Sequence, residues 1–302
     1  MSTKSTAEYG HEADTGPDAG PDTGPDTGPA GRGGRFGRIL RSPLGWSVTG
    51  LVGVALVASL TATGPGPVPV LGAAAAVAAY ALVMRRIAGR ATPEIARSGA
   101  AREALLGGAI GLGFILAALS LITLFGGYSF SWAGSGFMSV VWSAVMVQIG
   151  TAVTEELMFR GLFLQALEQR WGSGVAIAVT AVFFGAAHLG GAGANLWSAL
   201  AIALQAGVML GAAYIWRRSI WFVAGLHFAW NTVQQLAGVP VSGHAPEGLF
   251  TVDAHGSAAL TGGIFGLEAS VVPVLLSVLI TIPMLALARR GGGLLPRRRA
   301  RH

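Results

Sequence analysis

Long apolar runs, punctuated by short arginine clusters or glycine-rich turns, set the pattern of the chain. About 20 apolar residues cross a bilayer as a helix. On that rule the sequence predicts eight helices, the first over residues 44–63 and the second over 68–84, stopped by Arg85-Arg86. A basic stretch with Arg90, Arg97 and Arg102 leads into the third, 104–125, and the uncharged 126–136 reads as a turn. The fourth runs from 137 to about 170, the fifth from about 175 to 188, and the sixth from 196 to 216, ending at Arg217-Arg218. The seventh covers 219–236 and the eighth 269–288, closed by Arg289-Arg290; between them 237–268 reads as a loop with three acids and no Lys or Arg. The expected fold class is therefore all-α, a polytopic integral membrane protein with about eight transmembrane helices. It divides into a Gly/Pro/Asp-rich tail (1–42), a transmembrane domain (43–290) and a basic tail (291–302). The first tail repeats Thr-Gly-Pro-Asp in degenerate form and has nothing to bury in a core, so a disordered cytoplasmic leader is expected there.

Composition supports the membrane reading. The chain is 52% hydrophobic and 11% charged, against about 25% charged in soluble domains. Its net charge of +6 does not point to nucleic acid, because the arginines sit in short clusters between apolar runs. If the N-terminus is cytoplasmic and the eight helices alternate, every such cluster falls inside and the uncharged or acidic turns fall outside. That predicts a multi-pass protein of the cell (plasma) membrane with both termini cytoplasmic. Nineteen arginines against one lysine fit a GC-rich, bacterial coding bias. With no cysteine there is no disulfide, thiolate nucleophile or Cys–metal site.

Charge inside the apolar runs changes the picture. Glu155-Glu156-Leu157-Met158-Phe159-Arg160 interrupts the fourth run, and each charge near a helix centre costs about 2.5–3.5 kcal/mol on insertion scales. Glu156 and Arg160 are i,i+4 neighbours and can pair. Glu155 is turned about 100° away and is left free for chemistry. Phe184-Gly-Ala-Ala-His188 ends the fifth run, and His227-Phe-Ala-Trp-Asn231 lies inside the seventh. Glu156 and His188 each lie sixteen residues from Gly172, so on straight helices both sit roughly 20 Å from that turn. His227 and Asn231 lie nine and thirteen residues past Arg218, about 14–20 Å from the same side. The four groups can share one depth, reachable from the cytoplasmic side; whether their helices are neighbours is not in the spacing.

EExxxR, FxxxH and HxxxN on successive apolar segments resemble the CPBP family, the type II CAAX endopeptidase or abortive-infection family. The resemblance covers about residues 137–236. It implies an intramembrane endopeptidase acting on membrane-associated peptides or proteins in the lipid bilayer, with no cofactor. Carried over, Glu155 would be the base that activates water and His188 would help hold that water. His227 and Asn231 would stabilise the oxyanion, with Glu156 and Arg160 as a supporting pair. Two readings stand beside it. Glu155, His188 and His227 could instead be zinc ligands, although no HExxH is present. A non-proteolytic scaffold or transporter could use the same groups as a proton or ion site. No GxSxG or GxGD motif occurs. His244 and His255 read as solvated bystanders, and Gln148, Gln205 and Gln234 as interhelical hydrogen-bonders.

Overall fold

The computed structural model describes residues 34–134 and 136–296. The N-terminal repeat and the arginines from 297 onward lie outside the described residues. The helical part begins with α1 (Arg35–Arg41), within the expected tail, and α2 (Pro43–Thr61). Ser42 caps α2, its Oγ accepting from the Gly45 N–H at 3.1 Å, with Pro43 at the first helical position, where the missing N–H costs nothing. Next come α3 (Val68–Arg86) and α4 (Ala100–Leu124). Then α5 (Phe137–Glu156) passes through a π-helical segment, Leu157–Leu164, into α6 (Gln165–Trp171).

Gly172, at φ 80°, breaks the chain before α7 (Ser173–Ala187). The two arms fold back on each other: the Phe159 and Phe184 rings lie 4.6 Å apart and those of Phe163 and Phe183 5.3 Å apart. His188 begins a 3₁₀ turn, His188–Gly190. Asn195, through a capping box with Ser198, starts α8 (Leu196–Ile202), which continues through a second π segment, Ala203–Met209, into α9 (Leu210–Arg217). After a left-handed Arg218 comes α10 (Ile220–Leu236). The short α11 (Ala258–Thr261) precedes α12 (Val271–Arg290).

Among the described residues, six stretches are long and apolar enough to cross a membrane: Pro43–Thr61, Val68–Arg86, Ala100–Leu124, Phe137–Gly190, Leu196–Arg217 and Val271–Arg290. The expected fourth and fifth spans form the single 54-residue stretch. The seventh, α10, has 17 residues and is not among the six. The all-α polytopic class holds; a count of eight requires separating the two arms at Gly172 and admitting α10.

Small residues bring α10 against α4. A Cβ at Gly107 would run into the carbonyl of Phe222, one at Gly111 into that of Leu226, and one at Gly225 into that of Ala104. Such spacing allows the backbones of membrane helices to approach closely, and here it seats the helix that carries His227.

Arginines tie the loops of one end together. Arg217, ending α9, pairs with Glu103 at the start of α4. Arg218 reaches Glu168 of α6 at 2.6 Å and the carbonyl of Gly293, beyond α12, at 2.5 Å. The opposite end departs from expectation. The predicted turn 126–136 contains β1 (Tyr128–Trp132), and the predicted loop 237–268 contains β2 (Phe250–Ala254). They pair antiparallel, with Phe130 opposite Val252. Tyr128, Phe130, Trp132 and Phe250 make edge-to-face contacts along one face. Alternating aromatic and polar residues satisfy a strand, and aromatic rings suit a membrane interface.

Candidate active site

Two helical arms and α10 position the charged motif. Glu156 and Arg160 are 0% and 2% exposed and pair at 3.0 Å through Glu156 Oε1 and Arg160 Nη1. Arg160 Nη2 donates to the carbonyls of Ala206, by a short contact, and Gly207, at 3.4 Å, both in the second π segment. Its guanidinium also lies 5.0 Å from the centre of the Phe184 ring. The expected ion pair is therefore present, and the cation is satisfied on three sides.

Glu156 has a second partner that helical spacing did not disclose. His227 Nδ1 lies 2.9 Å from Glu156 Oε1, so that ring nitrogen donates and Nε2 is left for other work. Glu156 Oε2 has no partner among the described residues. His188 Nδ1 lies 2.7 Å from the carbonyl of Phe184, on whose ring the imidazole stacks at 4.8 Å. A carbonyl only accepts, which places a proton on His188 Nδ1 and, in the neutral ring, a lone pair on Nε2.

Glu155, His188, His227 and Asn231 line one cavity of about 470 Å³. Glu155 is half-buried and, like the Asn231 amide, makes no side-chain hydrogen bond among the described residues. The structure thus gathers the four groups that depth arguments alone could only place level. Glu155, His188 and His227, the alternative zinc ligands, share the cavity wall. Among the described residues, however, no group of three or more His, Asp or Glu side chains is gathered to hold a metal ion, so no step is derived through one.

The direction of the cavity corrects an expectation. Its non-helical lining comes from Ala62, Thr63, Val241, Ser242, His244 and Pro246, all at the arginine-poor end. None comes from the arginine-rich end, from which access was expected. His244, expected to be a bystander, is part of that lining; His255 is exposed, with Nε2 3.0 Å from Ser129 Oγ.

Glu268 was overlooked. It lies 1% exposed in the cavity wall, where Oε2 accepts from Gln234 Nε2 at 2.9 Å and from the Ser242 N–H at 3.1 Å. Burial pushes its carboxyl up to about 7, against the pull of those two hydrogen bonds. Gln205 donates to the Glu268 carbonyl at 2.7 Å, so Gln205 and Gln234 anchor the 237–268 segment rather than bridging two helices. Gln148 does bridge helices, donating to Gln235 at 2.8 Å. A lone acid in the apolar run just before the last helix was the available signal for Glu268.

These features define an all-α polytopic membrane protein with a carboxylate, two histidines and an asparagine facing one cavity. Residues 136–233, about a third of the chain, match the family model described as Type II CAAX prenyl endopeptidase Rce1-like. The matched stretch contains all three motifs and bears out the resemblance drawn from them. It supports, in general terms, an intramembrane endopeptidase of the CAAX-protease type. Comparison with curated proteins and with solved structures gave no match.

Proposed function

We propose that the protein hydrolyses peptide bonds of membrane-associated peptides or proteins, using water activated by Glu155. The observation that carries this reading is the shared cavity, in which an unpartnered carboxylate faces His188, His227 and Asn231. A water held by the lone pair of His188 Nε2 gives a proton to the Glu155 carboxylate as its oxygen attacks the scissile carbonyl carbon. The new oxyanion accepts from the Asn231 amide and from His227. Because Nδ1 of His227 already donates to Glu156, an Nε2–H donor means an imidazolium, whose charge Glu156 offsets. Glu155 then passes its proton to the amine nitrogen as the C–N bond breaks. A dry, preorganised donor of this kind is worth about 2.7–4 kcal/mol in the transition state. The cavity lining contains no residue from the arginine-rich end, which does not favour a proton or ion path across the bilayer.

The test begins with a proteomic comparison of wild-type cells with a Glu155→Ala strain, to find peptides that accumulate uncleaved. The purified protein is then assayed on one of them. Glu155→Gln keeps shape and hydrogen bonding but removes the base, and is expected to abolish cleavage while the protein still folds. A folded Glu155→Gln variant with full activity would overturn the reading. Activity lost to a chelator and restored by zinc would reassign Glu155, His188 and His227 as metal ligands.

A further inference from the structure

A second groove continues the catalytic cavity. It has a volume of about 380 Å³ and runs along Phe250, Thr251 and Val252 of β2; Pro246 lines both it and the cavity containing Glu155. The hydrogen-bond register of the small sheet shows what β2 offers there. The His255 N–H donates to the Gly127 carbonyl at 2.8 Å, and the Ala133 N–H to that of Leu249 at 2.9 Å. Hydrogen-bonded pairs alternate in an antiparallel ladder, so Ser129–Asp253 and Ser131–Thr251 are the bonded pairs between these two. The N–H and C=O of Val252, opposite Phe130, therefore point away from β1. Among the described residues no backbone group outside the sheet takes them. An open strand edge pairs readily with an extended peptide, and a protease needs its substrate extended, because a helix shields the scissile carbonyl.

The charge around this edge has one sign. The 237–268 segment carries Glu247, Asp253 and Glu268 and no Lys or Arg. Glu247 lines the groove and, like Asp253, is exposed; Glu268 lines the cavity but is buried and keeps its proton up to about 7, so the fixed charge at the edge comes from the first two.

We propose that the outward N–H and C=O of Val252 in β2 receive the substrate as an added strand, guiding an extended cationic peptide past Pro246 to Glu155. The proposal rests on the peptidase reading above and extends it to a substrate class and a point of entry at the arginine-poor end.

Binding separates the two. A fluorescein-labelled decapeptide of alternating Lys and Val, and its Glu/Val counterpart, are titrated by anisotropy against the full chain carrying Glu155→Gln in a neutral detergent. The Lys/Val peptide is expected to bind at least about tenfold more tightly. Val252→Pro removes only the outward N–H and leaves the β1 ladder intact, and is expected to weaken that binding about tenfold. If Val252→Pro does not fold, Val252→Cys provides the chain's single thiol, and coupling it to a bulky maleimide should block binding. Equal affinity for the two peptides, or binding indifferent to Val252→Pro and to the blocked thiol, overturns the groove. Glu155-dependent cleavage that persists in that case leaves the peptidase reading standing. Tight groove binding without any Glu155-dependent cleavage supports the groove and sinks the peptidase reading instead.

Discussion

Glu156→Gln tests the support of the site directly. In the wild type, Glu156 Oε1 accepts from Arg160 at 3.0 Å and from His227 at 2.9 Å, and both carboxylate and guanidinium are almost fully enclosed. The amide oxygen can still accept from both, but Arg160 keeps its charge with its counter-charge removed and only neutral acceptors, the amide and the Ala206 and Gly207 carbonyls, and two aromatic rings in contact. Breaking one side of a buried pair costs about 3–5 kcal/mol, and at about 2–4 °C per kcal/mol the melting temperature should fall by roughly 10 °C. The control is Glu103→Gln, whose partner Arg217 is 29% exposed; such a pair is worth about 1 kcal/mol or less. Arg160→Met in the Glu156→Gln background removes the stranded charge and should recover most of the loss, since apolar replacement of a whole buried pair is often neutral. Thermal melts in detergent of the four proteins decide it. A double variant no more stable than Glu156→Gln alone would show that the two residues do not depend on each other.

Three other outcomes follow from the placement of the site. With a verified substrate, Asn231→Ala should lower kcat by about 10²–10³, the usual loss of one oxyanion donor. His188→Ala should fall nearly to the Glu155→Gln level, because an unanchored water loses its attack geometry. Reporters fused after Arg86, Arg218 and Arg290 should read cytoplasmic and one near Asp253 external; a cytoplasmic reading at Asp253 would turn the cavity toward the cell interior.

Much of this was legible in the chain, and the boundary has physical causes. Apolar runs between arginine clusters marked the long helices, because burying about 20 residues in lipid leaves little alternative. The Glu156–Arg160 pair followed from spacing within one helix. The His227–Glu156 bond spans 71 residues and depends on which face α10 turns, which depth arithmetic does not contain. The strand Tyr-Ser-Phe-Ser-Trp carried its period-2 signal, but its glycine flanks read as a turn and its partner residues lay 118 to 126 positions away. The two π segments are in tertiary contact, Arg160 of one donating to the Ala206 and Gly207 carbonyls of the other, a pairing that helical spacing does not contain. The direction of access was within reach. A depth of roughly 20 Å in a hydrocarbon layer of about 30 Å leaves the shorter path to the arginine-poor end.

Glu268 makes stability depend on pH in a defined window. In the unfolded chain its carboxyl releases a proton near the ordinary 4.5; in the folded protein, burial delays release until about 7. Between those values the native state binds more protons than the unfolded one, so stability falls as pH rises. The contribution is fully present below 4.5 and is lost as pH passes 7, a difference of about 3 kcal/mol. Glu268→Gln keeps an acceptor for Gln234 and Ser242 but cannot ionise. Relative to the wild type, the variant should therefore melt higher at pH 8, with the gap closing toward pH 5. Comparing the two proteins across that range cancels the other titrating groups, which they share. Wild-type and variant melting temperatures that run parallel from pH 5 to 8 would show that Glu268 carries no buried charge, and that its two hydrogen bonds hold the 237–268 segment at any protonation state.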